Sequence, residues 1–260
     1  MISQNYLRML VNSEAQPEEL ERILSRQKVD IIGEKTLNRI EIEECGEPLV
    51  KLVNYIPTAL IAMTSKRKRY EDETLYARQS VAEQLSAAAG LVCPYRLKIF
   101  DAFRPVEIQQ RRFDEISAQV RAKNPGWSEE EVRAETFIFV FPPSWDKRTP
   151  PAHSTGGAID LTLVDVYGTD LDMGTRYGEF DNPLMYTNAS GQGLEQRANR
   201  ELLLTSMAKN GLINFPGEWW HYSFGDREWI AYLGKLKLPA IFGRADDPYK
   251  RSSPRHDVGG

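Results

Sequence analysis

His153-Ser154-Thr155-Gly156-Gly157-Ala158-Ile159-Asp160-Leu161-Thr162-Leu163 is the stretch from which the rest of the chain can be read. A histidine precedes an aspartate by seven positions, with two glycines between them. The aspartate opens into an apolar run of β type, predicted as a central strand over 158–166. Imidazole and carboxylate supply nitrogen and oxygen ligands that suit zinc. The glycines permit the tight backbone path that brings the two side chains together.

Gly217-Glu218-Trp219-Trp220-His221-Tyr222 is the second stretch. It sets one carboxylate and one imidazole among three aromatic rings. A buried carboxylate is costly unless it is paired, protonated or held near a metal. With His221 the set becomes His, Asp, His. Three protein ligands leave a fourth zinc position for water, which is the pattern of a catalytic site. Glu218 is then placed to take a proton from that water. Pro216-Gly217 excludes a helix here. Glu218 and His221 fall on opposite faces of a regular strand, so a bend or bulge is required. The chain has three histidines; the third, His256, sits in a polar tail.

The third stretch is Ile99-Phe100-Asp101-Ala102-Phe103-Arg104-Pro105. It reads as a strand ending in arginine, with a helix starting at Pro105. An arginine there either turns its fork of donors into a cleft to stabilise an oxyanion, or forms a surface ion pair with Asp101.

D-A-F-R-P, H-x-x-G-x-A-x-D-L-T-L and E-W-W-H-Y, in that order, resemble the VanX-type D-alanyl-D-alanine dipeptidase family. These are zinc D,D-peptidases that share a fold with the hedgehog signalling domain. The resemblance covers roughly residues 50–240. It implies one Zn2+ per chain, held by His153, Asp160 and His221. It implies Glu218 as general base and Arg104 as the stabiliser of the tetrahedral intermediate. The implied substrate is a small peptide or amide, and the implied setting is cell-wall chemistry.

Two positions depart from the family pattern. Pro151 stands where the family has serine, and Gly178 where it has aspartate, in Met173-Gly174-Thr175-Arg176-Tyr177-Gly178. In the dipeptidases both residues help hold the substrate's free amino group. Glu179 is a candidate replacement. A D,D-carboxypeptidase or specialised-metabolite amidase is therefore the alternative expectation. A non-catalytic, zinc-stabilised binding module is the third, but such a module needs neither Glu218 nor Arg104.

Composition fits this picture. The 260 residues carry a formal charge of -4, with a pI near 5.6 and mean hydropathy of -0.47. This gives no basic surface for nucleic acid, and the run Lys66-Arg67-Lys68-Arg69 reads as a solvated loop. No apolar run approaches a membrane span. The first residues lack a basic head followed by an apolar core, so a cytoplasmic enzyme is expected. Cys45 and Cys93 are too few for a disulfide framework and read as buried thiols.

The expected architecture is an α+β domain with a mostly antiparallel central sheet and outer helices. Residues 1–45 form an N-terminal extension packed on the core, with a short helix from Pro17. Residues 46–240 form the catalytic domain, and 241–260 a polar, mobile tail. Helices are predicted over 75–89 with Gly90 as stop, 106–120, from Ser128, 194–209 and 227–236. The site is expected between the sheet and the loops 144–153 and 177–192, with Pro150-Pro151 stiffening one wall.

Overall fold

The computed structural model describes residues 31–62 and 74–249. The expected helix at Pro17, the basic run 66–69 and His256 lie outside the described residues.

The centre is strand β5 (Ala158–Val164), and every one of its residues is buried. Burial on both faces is why it reads as an almost unbroken apolar run. Its neighbours are β4 (Arg96–Asp101) and β7 (His221–Ser223), both antiparallel to it. The edges are β2 (Leu60–Ile61), beside β4, and β6 (Ile213–Asn214), beside β7. β2 runs parallel to β4, whereas β6 is antiparallel to β7. The sheet is therefore mixed, which corrects the expectation of a mostly antiparallel one. The cause lies in the connection between them. After β2 the chain forms β3 (Tyr76–Arg78) and helix α2 (Gln79–Leu91) before entering β4, and a long crossover of this kind returns a strand in the same direction. β3 pairs separately with β1 (Leu49–Lys51).

Helix α1 (Glu34–Leu37) precedes the sheet, and α3 (Val106–Lys123) and α4 (Glu129–Phe139) follow β4. Ser128 and Glu131 close the predicted capping box on α4. The four-residue α5 (Ala152–Thr155) carries His153. α6 (Leu194–Lys209) has the predicted bounds, and α7 (Arg227–Tyr232) stops short of the predicted 236. α2 starts after Leu75, because 76–78 pair with β1, and it runs through Gly90 rather than stopping there.

Trp220, Tyr222, Phe224, Trp229 and Phe242 are fully buried in one core with Ile159, Leu161 and Leu163 of β5. Leu37 and Ile40 join it from the N-terminal side. The polar tail expected from 241 needs correction at its start: Ile241 and Phe242 are core residues, and the backbone N–H of each reaches Gly225 O. Arg78 ties these ends together. Its buried guanidinium binds the Glu44 carboxylate at 3.0 Å, Gly243 O at 3.1 Å and Thr155 O at 2.8 Å, and also donates to Glu47 O. It lies over the Phe242 ring, 4.9 Å from its centroid. Cys45 and Cys93 are unbridged as expected, but exposed rather than buried. Among the described residues no helix is long and apolar enough to cross a membrane.

Candidate metal centre

Strand register builds the centre. Asp160 of β5 and His221 of β7 are direct cross-strand partners. Their side chains therefore lie on the same face, opposite to Ile159 and Leu161, which point into the core. The pattern on β4 shifts between Ile99 and Asp101, which sets Asp101 opposite Asp160. His153 arrives from α5. The turn after that helix needs Gly156 at φ +76°, and at Gly157 a methyl group would stand 2.6 Å from Phe224 O. Both glycines of the motif are thus required by the backbone path.

His153, Asp160 and His221 come together, all buried, with ligand atoms within 4.8 Å of one another. Nε2 of His153 and Nδ1 of His221 both face Oδ1 of Asp160, at 3.2 and 3.0 Å. The outer nitrogens identify the tautomers. Nδ1 of His153 meets Ala102 O at 2.8 Å, and a carbonyl only accepts, so Nδ1 carries the proton. Nε2 of His221 meets the Glu228 carboxylate at 3.1 Å, which likewise fixes the proton there. The inner nitrogens, Nε2 of His153 and Nδ1 of His221, are then the ones placed to offer lone pairs to a metal. This is the outer-shell arrangement that metal-bound histidines adopt, and the N, O, N donor set suits zinc.

The electrostatics follow from burial. Burial disfavours the Asp160 anion, but the charges and hydrogen bonds of His153 and His221 overcome it and hold its carboxyl well below the usual range. Burial and Arg104 depress His153. Burial also opposes a charged His221, but without a metal the Asp160 and Glu228 hydrogen bonds win and raise it, so a metal would displace the proton from Nδ1. Glu218 is 7% exposed; burial first, then the charge on Asp160, pushes it up to about 7. It sits just before β7, where residues 219–220 turn and His221 N reaches Glu218 O at 3.3 Å. That turn is the bend the sequence called for.

Arg104 is buried rather than on the surface, and it does pair with Asp101. Its Nη2 lies 2.7 Å from Asp101 Oδ2 and 3.6 Å from Asp160 Oδ2, and Nη1 donates to Gln109 Oε1 at 2.8 Å. Arg112 reaches Asp101 at 3.3 Å. Two buried carboxylates side by side require such cationic partners. The Tyr177 hydroxyl donates to Asp160 Oδ2 at 3.0 Å. Burial first, then the Asp160 charge, raises Tyr177 well above the usual phenol range, so the hydroxyl keeps its proton. Its ring stacks on Phe100, with centroids 4.3 Å apart.

The centre opens into a cavity of about 60 Å³. Arg104, His153, Asp160, Glu218, His221 and Glu228 line it, together with Pro151 and Phe215. One wall is the segment 137–141, and Ile32 and Leu37 close another side. The 144–153 loop contributes as expected. Among the described residues the 177–192 loop does not line the cavity: Phe180 turns to Phe139 and Trp220, and Glu179 is half-buried, with its carboxylate accepting from Arg176 N and Asn182. Glu179 is therefore no replacement for the missing amine partner. Tyr177, Arg112, Gln109 and Glu228 were not singled out from sequence. The available signals were the charged run Asp226-Arg227-Glu228, directly after the second motif, and the aromatic position in Met173-Gly174-Thr175-Arg176-Tyr177-Gly178.

Residues 56–236 match a peptidase family described as D-ala-D-ala dipeptidase. The chain belongs to the D-Ala-D-Ala dipeptidase family. A D-alanyl-D-alanine dipeptidase of Synechocystis is 32% identical over 243 residues, covering 76% of this chain and 95% of the relative. One of Escherichia coli is 41% identical over 70 residues, or 27% of this chain and 36% of the relative. Two solved structures are similar. VanYB in complex with D-alanine-D-alanine is 17% identical, covers 66% of this chain and 84% of its own, and has a TM-score of 0.40. A vancomycin-resistance D,D-pentapeptidase VanY variant in complex with Zn(II) is 16% identical, covers 72% and 97%, and has a TM-score of 0.39. As a member of the dipeptidase family with this donor set, the protein is a zinc metallopeptidase.

Proposed function

We propose that the protein hydrolyses D-alanyl-D-alanine, with zinc held by His153, Asp160 and His221 and with Glu218 and Arg104 as its catalytic side chains. The observation that carries the substrate reading is the cavity. It is a small cleft bounded by 137–141, Ile32 and Leu37, which suits a compact substrate. Together with 32% identity to a D-alanyl-D-alanine dipeptidase over 95% of that relative, this favours a dipeptidase over the D,D-carboxypeptidase alternative.

When bound, zinc polarises the scissile carbonyl and lowers the pKa of its water toward about 7. Glu218 takes the proton of the attacking water and hands it to the leaving amine. A carboxyl pushed up to about 7 is matched to both tasks near neutral pH. Arg104, locked by Asp101 and Gln109, presents a fixed positive charge where the oxyanion develops. Glu228 and Ala102 O keep the two imidazoles in the ligating tautomer. Two unbridged, exposed cysteines accord with a reducing, cytoplasmic setting for an enzyme acting on a cell-wall building block.

The test is amine release from D-Ala-D-Ala by zinc-loaded protein, with Glu218→Ala as the control. Release that disappears in the variant supports the reading. No release from zinc-loaded wild-type protein overturns it.

A further inference from the structure

We propose that Glu228 holds the free ammonium group of the dipeptide and so sets the preference for an unblocked N-terminus. This rests on the dipeptidase reading above and adds a specificity residue to it.

A free dipeptide carries an ammonium group at one end and a carboxylate at the other. Taken into a small cleft among buried side chains, each needs a partner of opposite charge. Among the described residues the carboxylates lining the cavity are Asp160, Glu218 and Glu228. Asp160 is committed on both oxygens, Oδ1 to the two histidines and Oδ2 to Tyr177. Glu218 must take up and release protons, which a fixed ammonium partner would oppose. Asp101 is bound by Arg104 and Arg112 and does not line the cavity. Glu228 remains.

Its geometry suits the task. The side chain is 14% exposed. Oε2 meets His221 at 3.1 Å, and among the described residues no hydrogen bond engages Oε1. The Phe215 ring lines the same space and adds an aromatic wall that tolerates a cation. The neighbouring Arg227 directs its guanidinium to Leu37 O, Asn38 and Pro150 O instead.

The cavity is also polarised. Arg104 lies 3.6 Å from Asp160, Asp160 lies 3.0 Å from His221, and His221 lies 3.1 Å from Glu228. The arginine and the glutamate thus stand at opposite ends of a chain of contacts that passes through the metal ligands. A zwitterion laid across the centre would meet charge of the right sign at its amino end.

The test separates charge from mere support of His221. Glu228→Gln keeps an oxygen that accepts from Nε2 of His221 and removes the charge. Binding of D-Ala-D-Ala and of N-acetyl-D-Ala-D-Ala is measured by calorimetry on zinc-loaded Glu218→Ala protein, with and without E228Q. KM and kcat are measured in the Glu218 background. The expected result is free-dipeptide binding weakened roughly ten- to a hundredfold, as for loss of a charge-assisted hydrogen bond. KM for the free dipeptide rises in parallel, and at zinc concentrations that saturate both proteins, as checked by chelator competition, the blocked peptide is weakened far less than the free one. Glu228→Asp recovers part of the loss. Equal weakening of both peptides at saturating zinc overturns the proposal and leaves Glu228 as a support for His221. Unchanged binding of the free dipeptide overturns it too. Wild-type protein that neither binds nor cleaves the free dipeptide overturns the dipeptidase reading itself, and this proposal with it.

Discussion

The Tyr177 hydroxyl donates to Oδ2 of Asp160 at 3.0 Å, while Oδ1 of the same carboxylate faces His153 and His221. One oxygen is thereby pinned so that the other is aimed. Tyr177→Phe removes only the hydroxyl and keeps the ring on Phe100. Zinc affinity should fall roughly ten- to a hundredfold, as for other outer-shell partners. Chelator competition measures this, and thermal unfolding of the zinc-free protein should change little.

Glu218→Gln should retain zinc at one ion per chain, because Glu218 is outside the ligand set. It should lower kcat by about 10²- to 10⁴-fold, the usual contribution of a general base. Metal analysis and turnover on the same sample test both halves.

Asp226 caps α7, its Oδ1 accepting from Trp229 N at 2.8 Å. It is 1% exposed; burial first, then the charge on Glu228, pushes it up to about 7. An unfolded aspartate loses its proton near pH 4. Between about pH 4 and 7 the folded chain holds the additional proton, so this residue's contribution to stability falls as pH rises through that window. Asp226→Asn keeps an accepting oxygen for the cap and does not titrate. From pH 4 to 7 it should therefore gain on wild type by up to about 4 kcal/mol. Denaturant midpoints at a series of pH values measure the difference, and a constant difference would contradict the assignment.

Gly157→Ala introduces a methyl group 2.6 Å from Phe224 O and 2.9 Å from the Thr155 hydroxyl. Phe224 N donates to Gly157 O at 3.0 Å, so relief must strain the β5–β7 pairing. A loss of about 1–3 kcal/mol is expected, with weaker zinc binding because that pairing aligns Asp160 with His221. Gly90→Ala is the control. It lies within α2 with nothing within 4 Å of the added carbon, and should stabilise by about 0.5–1 kcal/mol.

The clustering of His153, Asp160 and His221 was legible because each residue sat in a pattern with a backbone reason. The glycine pair precedes the strand at Asp160, and Pro216-Gly217 breaks the chain before His221. α6 was legible to its ends because Asn210-Gly211 closes it. Other features lacked such a signal. Glu228 looks like any acidic residue in the first turn of a helix. Tyr177 reads as a loop aromatic until the fold brings it to Asp160, 17 positions earlier. Segment 137–141 becomes a cavity wall through the packing of α3 and α4, which no local pattern encodes. The mixed sheet was hidden because its parallel member, β2, is only two residues long.

Arg78 makes the catalytic unit longer than the family's matched segment. Its guanidinium joins Glu44 and Gly243, both outside residues 56–236, to Thr155 O in the helix that carries His153. A fragment trimmed to 56–236 would keep His153, Asp160 and His221 yet strip this buried cation of its carboxylate, and would remove Ile241 and Phe242 from beneath Gly225. Expression boundaries for this enzyme therefore belong outside Glu44 and Gly243, and grafting the three motifs alone onto another scaffold would leave behind the clamp that aims the first histidine.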